Sequence, residues 1–128
     1  FKHFNDCHGH PLGDRLLQQV AGVIRSSVRE ADYPARYGGE EFVVILPETG
    51  LAAALQAAER IRRGVAGLAG EEAKTQPLGH FSVSVGVASY PVPCPTPEDL
   101  VKQADLALYE AKRAGRDRCQ ACKDFLAG

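Results

Sequence analysis

This chain has almost no net charge: 15 Lys and Arg stand against 16 Asp and Glu, for a formal −1 over 128 residues. That balance excludes a broad electrostatic case for a nucleic-acid polymer or an anionic membrane as partner. Long apolar runs are also missing, and none approaches the roughly 18 residues of a membrane span. No secretory leader is visible. Cysteine is scarce and scattered, at Cys7, Cys94, Cys119 and Cys122, which suits a reducing compartment rather than a disulfide scaffold. Cys119-Gln-Ala-Cys122 is a lone CxxC; without a second ligand pair it reads as two strand-end or tail cysteines. His3, His8 and His80 have no spacing that argues for a metal. The expectation is a cytoplasmic domain, or the cytosolic part of a larger sensor or membrane protein, that makes no membrane contact itself.

What is present is ordinary globular composition, with 45% apolar and 24% charged residues, enough for one real core. Leu16, Leu17, Val20, Val23, Ile24 and Val28 recur at helical spacing, predicting a helix from Leu12 to Arg29. Tyr33 to Tyr37 and Glu40 to Leu46 read as a hairpin. A second helix is predicted from Leu51 to about Ala66, with Leu51, Leu55, Ala58, Ile61 and Val65 inward. Gly67 to Gly79 reads as a polar loop. His80 to Ser89 alternates Phe81, Val83, Val85 and Val87 against Ser82, Ser84 and Gly86, the period of a strand. Pro91, Pro93, Pro95 and Pro97 mark a stiff connector. Thr96 and Pro97-Glu98-Asp99 open a third helix as cap and first turn. That helix ends near Gly115, and a short strand follows near Arg118 to Cys122. Helix, hairpin, helix, strand, helix, strand implies an α/β sandwich in which helices flank one mainly antiparallel central sheet. No repeat or second domain is visible, so residues 1–128 read as a single domain.

The most informative run is Arg36-Tyr37-Gly38-Gly39-Glu40-Glu41-Phe42, followed by Val43-Val44-Ile45-Leu46. Two glycines between strand-like runs are a tight-turn signal. They also let a large ligand approach the backbone. The two carboxylates stand at the mouth of a strand whose remainder is apolar, where charge calls for a partner such as a divalent cation with a polyphosphate. The plain alternative is a pair of solvated acids at a hairpin tip. Strand alternation puts Glu40 and Glu41 on opposite faces, so the two should not serve one metal equally. Lys112 and Arg116 lie four apart near a helix end and are expected to share one face. They suit either a polyphosphate or simply the negative end of the helix dipole.

Four ordered segments carry a family resemblance: FKHFNDCHGHPLGD at Phe1 to Asp14, RYGGEEF, SVSVGVA at Ser82 to Ala88, and ADLALYEAKRAGRD at Ala104 to Asp117. In these the chain resembles the GGDEF domain, the diguanylate cyclase family, with a GGEEF variant of its signature and a nucleotidyl-cyclase or palm-like fold. The resemblance implies that two GTP condense into cyclic di-GMP and two pyrophosphates, with one GTP held by each half of a homodimer. It implies that Glu40 is the ligand of Mg2+ (or Mn2+), with Glu41 beside the nucleotide along with Gly38 and Gly39. Lys112 and Arg116 would meet the phosphates. Asn5 and Asp14 would read the guanine edge, Asp14 accepting from its donors; the alternatives are a turn at Asn5 and a first-turn helix acid at Asp14. Lys2 would support the phosphates or the transition state, and His10 would order the loop. Arg29-Glu30-Ala31-Asp32 falls where the family keeps an RxxD inhibitory site for cyclic di-GMP, with Arg60 as a secondary contact. The chain departs from the pattern in two places. Asp117 stands where the family commonly has Asn. The family's D-x-D-x-F-K begins here at its Phe, so the first aspartate, a second metal carboxylate, is expected upstream of Phe1 with its strand, and the domain reads as N-terminally truncated. The rival reading is a catalytically silent module that senses GTP or cyclic di-GMP. A cyclase for another cyclic nucleotide fits Asn5 and Asp14 less well.

Overall fold

A computed structural model describes residues 10–68 and 81–123, with side chains from Gly13 onward. The order of elements is α1 (His10–Ser27), β1 (Tyr33–Gly38), β2 (Glu41–Ile45), α2 (Leu51–Ala66), β3 (Val85–Val87), α3 (Pro97–Arg113) and β4 (Cys119–Ala121). This is the predicted alternation of helices and strands, and the fold is α/β. The chain divides into two compact units, Phe1–Pro47 with Arg63–Phe81 and Glu48–Arg62 with Ser82–Gly128.

In the first unit, α1 buries Leu16, Leu17, Val20 and Ile24, the stripe its periodicity foretold. Val23 and Val28, expected inward, stay half-buried. Gly64, near the end of α2, packs against one of them: a Cβ there would run into the Val23 side chain at 2.6 Å. The glycine therefore lets the two helices approach closely. β1 and β2 pair antiparallel, from Tyr33 opposite Ile45 to Arg36 opposite Phe42. The register then shifts so that Gly38 faces Glu41 and Tyr37 bulges out. The apolar run of β2 would suit a buried strand. Instead Phe42 and Val44 are half-buried, while Val43 and Ile45 are exposed. A two-stranded ribbon turns only one face inward, and among the described residues no third strand covers the other.

The second unit is built on α3. Thr96 caps it: the Thr96 hydroxyl accepts from the Asp99 amide at 3.1 Å, and Pro97 follows in the first turn. Both features were legible in the sequence. Ala107 and Ala111 are fully buried against β3 and β4, with Leu100, Ala104 and Leu108 half-buried. The strand predicted over His80 to Ser89 is regular only at Val85–Val87, and its β4 partner runs parallel, Val85 opposite Cys119 and Val87 opposite Ala121. Gly86 is the close approach in this unit. A Cβ there would strike the Ala104 carbonyl and the Leu108 backbone of α3, which accounts for the glycine inside SVSVGVA. The described strands thus form two two-stranded sheets, one antiparallel and one parallel. The predicted loop lies outside the described residues except at Gly67 and Leu68. No described helix is long and apolar enough to cross a membrane.

Candidate functional site

The glycine turn is as tight as the sequence implied but lies one residue further on. Gly38 closes β1, and the two-residue loop is Gly39-Glu40, with Gly39 at φ +31°. Positive φ at a hairpin loop is the reason for glycine here. Arg36 clamps the turn from below. Its Nε donates to the Gly39 carbonyl at 2.8 Å, and its Nη2 donates to the same oxygen. Arg36 was part of the quoted motif, but its work as the turn's brace was not foreseen; an Arg three residues before a glycine turn is the only signal.

Glu40 therefore sits in the turn and not on the strand, so strand alternation does not set its direction, contrary to expectation. Glu41 opens β2 on the exposed face shared with Val43 and Ile45. Both carboxylates are exposed, and among the described residues neither is held by a hydrogen bond or an ion pair. That leaves their oxygens open to an outside cation. Among the described residues no cluster of three or more His, Cys, Asp or Glu forms a protein cage for a metal. Magnesium needs none: it commonly binds through one or two carboxylates plus substrate phosphates. Asp14 is exposed in the second turn of α1, since the helix begins at His10. The alternative of a first-turn helix acid is therefore set aside. Lys2 and Asn5 lie outside the described residues.

In the second unit α3 ends near Gly115, as predicted. Arg113 is its last helical residue and Ala114 its cap. The Gly115 amide donates to the Lys112 carbonyl at 3.4 Å, and the Arg116 amide donates to the Ala111 carbonyl at 3.0 Å. That pair of bonds, with Gly115 at φ +121°, is a Schellman termination. Arg116 thus lies beyond the helix, at φ +63°. A shared helical face for Lys112 and Arg116, argued from their spacing, does not apply, because the chain has reversed its hand between them. Both side chains are exposed and make no bond to a described residue.

The RxxD segment is tightly self-paired. The Arg29 Nη2 donates to Asp32 Oδ1 at 2.8 Å and to the Pro47 carbonyl at 2.8 Å; the Arg29 amide donates to Asp32 Oδ2 at 2.7 Å. Asp32 is buried, whereas the Arg29 side chain is 57% exposed. A buried carboxylate needs these donors, so a phosphate ligand of Arg29 would have to share its guanidinium with Asp32. Arg60 is exposed on α2.

Taken by fold and turn, this is an α/β domain that offers two carboxylates on a glycine hairpin, and Lys112 in the last turn of α3 with Arg116 just past it, none of their side chains held by a described residue. The chain belongs to the GGDEF family of diguanylate cyclases, whose family model, "Diguanylate cyclase, GGDEF domain", matches residues 1–118. It is 46% identical over 117 residues to the response regulator PleD of Caulobacter vibrioides, covering 91% of this chain and 26% of that protein. It is 43% identical over 129 residues to diguanylate cyclase A of Treponema denticola, covering 98% of this chain and 33% of that protein. The chain thus spans between a quarter and a third of these relatives. Among solved structures, the active GGEEF domain of a diguanylate cyclase from Vibrio cholerae superposes with a TM-score of 0.82 at 32% identity, covering 95% of this chain and 76% of that one. The GGDEF domain of DgcB from Caulobacter crescentus, in complex with c-di-GMP, superposes with a TM-score of 0.81 at 36% identity, covering 94% and 70%.

Proposed function

We propose that this chain is the catalytic domain of a diguanylate cyclase that condenses two GTP into cyclic di-GMP with release of two pyrophosphates. The observation that carries the reading is the Gly39-Glu40 turn with two carboxylates free of described protein partners, in a chain of this family. Glu40 would hold Mg2+ or Mn2+, which when bound would supply charge neutralisation at the reacting phosphate. Gly38 and Gly39 keep side chains out of the nucleotide's path, and Glu41 stands beside it. Lys112 and Arg116 offset the triphosphate's charge. Asp14 and Asn5 accept from and bond to the guanine edge, while Lys2 supports the phosphates. Each domain of a homodimer holds one GTP, so that the 3′-hydroxyl of one lines up on the α-phosphorus of the other. Positioning and charge neutralisation supply most of the rate. Arg29, Asp32 and Arg60 bind the product as an inhibitor, a reading supported by the cyclic di-GMP in the DgcB complex.

The test incubates the full-length protein with GTP and magnesium and identifies the product by mass. The parent should yield cyclic di-GMP and the Glu40→Ala variant none, a loss of at least about 10²–10³ in rate, the scale of removing one key stabiliser of the transition state. Substantial product from the variant removes Glu40 from the mechanism. No product from either, with tight cyclic di-GMP binding that depends on Arg29, makes the domain a sensor instead.

A further inference from the structure

Arg62, near the C-terminal end of α2, spends its whole guanidinium on two carboxylates. Its Nε donates to Glu59 Oε2 at 3.0 Å and its Nη2 donates to Glu59 Oε1, one turn back on the same helix. Its Nη1 donates to Asp117 Oδ1 at 3.0 Å, fifty-five residues later in the chain. The Arg62 and Asp117 side chains are 22% and 20% exposed, so the pair is sheltered from water. Sheltering and a planar, bidentate fork separate this arrangement from the loose surface pairs that contribute little. The bonds from Glu59 and then Asp117 hold the guanidinium even further above its ordinary value, so it stays charged at every relevant pH.

Asp117 is the last of three consecutive residues at positive φ: Gly115 at +121°, Arg116 at +63° and Asp117 at +48°. Glycine takes this region freely and aspartate tolerates it, but arginine does so at a cost. Such a backbone persists only where its surroundings over-determine it. On one side the amides of Gly115 and Arg116 are tied to the end of α3. On the other, the Arg118 carbonyl accepts from the Val85 amide at 3.0 Å at the start of the β3–β4 ladder. The Arg118 Nε donates to the Arg116 carbonyl at 3.1 Å. Between these anchors the Arg62–Asp117 bridge is a long-range side-chain tie, made between described residues, on the strained residues themselves.

We infer that Arg62 is a positioning residue: through Asp117 it holds the backbone of Arg116 in the conformation that presents its guanidinium to a nucleotide's phosphates. The inference rests on the reading of Arg116 as a phosphate contact. Each of the three guanidinium nitrogens of Arg62 already donates to Glu59 or Asp117, and Arg62 touches no substrate in this role. Glu59 orients Arg62 from behind, bonded in turn by the Cys119 thiol at 3.7 Å.

The experiment measures KM and kcat for GTP in the full-length protein, and the Kd of 3′-deoxy-GTP, which binds but lacks the attacking hydroxyl. Arg62→Ala and Asp117→Ala should each raise KM and Kd about tenfold, close to 1.4 kcal/mol, with kcat changed little. The double variant should be no worse than either single one, because both break the same tie. Asp117→Asn keeps the Oδ1 acceptor and should stay near the parent. A fall in kcat with KM and Kd unchanged would mark Arg62 as merely structural and overturn the inference. If Arg62→Ala fails to fold, the comparison of Asp117→Ala with Asp117→Asn decides the matter alone: equal affinities overturn it. Arg116→Ala separates the two levels of the argument. Unchanged affinity in that variant overturns the phosphate reading itself, whereas weakened affinity there with Arg62→Ala unaffected overturns only the positioning role.

Discussion

At the scale of single residues, the arginines sort by what they hold. Arg29 is committed to Asp32, Arg36 to the Gly39 carbonyl and Arg62 to Glu59 and Asp117, while Arg116 makes no side-chain bond to a described residue. Composition treats all four alike; only their partners separate a structural guanidinium from one left for a ligand. The Glu59–Arg62–Asp117 network also sets the chemistry of Cys119. Burial first, then the Glu59 carboxylate, pushes the Cys119 thiol from 9.0 up to about 11; Asp117 adds to this and Arg62 opposes it. The folded state thus holds this proton more tightly than the unfolded chain. Its stabilising contribution is complete below about pH 9 and lost as pH rises toward about 11. Denaturant unfolding across that window should show a fall in stability that is shallower in Cys119→Ala. An identical slope in the two proteins would mean the thiol does not titrate in this way. The CxxC of Cys119 and Cys122 read from sequence as strand-end or tail cysteines, and strand-end they are: Cys119 begins β4, and Cys122 is buried just past it, its amide donating to the Val87 carbonyl at 2.7 Å.

At the scale of elements, caps were readable and contacts were not. Thr96, Pro97 and Asp99 announce the start of α3 because capping is local chemistry, complete within four residues. Gly115 announces its end for the same reason. The glycine inside SVSVGVA was legible as part of a motif, but its reason lies in α3, some twenty residues on, whose backbone leaves no room for a Cβ. The two positions should therefore respond differently to substitution. Thr96→Ala removes one capping bond and should cost about 1 kcal/mol. Gly86→Ala drives a methyl into backbone, which cannot swing aside as a side chain would, and should cost at least about 1–3 kcal/mol. Thermal unfolding of the two variants orders them; an equal or smaller loss at Gly86 would mean that α3 can shift away from β3. The hairpin shows the same division. Its turn was visible in Gly38-Gly39, yet the bulge at Tyr37 and the exposure of Val43 and Ile45 came from pairing and cover, which no window of sequence contains.

At the scale of the whole molecule, the near-neutral charge leaves encounter between copies without strong electrostatic help or hindrance. Under the proposed function one GTP is held by each of two domains, so turnover requires a pair. Specific activity should rise with protein concentration until the dimer is saturated, and an excess of the inactive Glu40→Ala variant should suppress the parent by forming mixed pairs. Activity per molecule that is flat down to nanomolar protein, with no suppression by the variant, would argue for a catalyst that works alone.

The sequence by itself determined the family, the order of helices and strands, the caps of α3 and the identity of the candidate carboxylates and cations. The helices, strands and caps are written in local chemistry, periodicity and turn propensity, and the family in four short motifs, each compact in itself, that follow in order along the chain. Only the tertiary structure decided which of those groups remain available. Glu40 is in the turn because Gly38 pairs with Glu41, Arg116 lies off the helix because Gly115 reverses the chain's hand, and Arg62 is spent on Asp117 across fifty-five residues. A bond between residues so far apart depends on how elements pack, and packing is a property of the folded chain rather than of any segment in it.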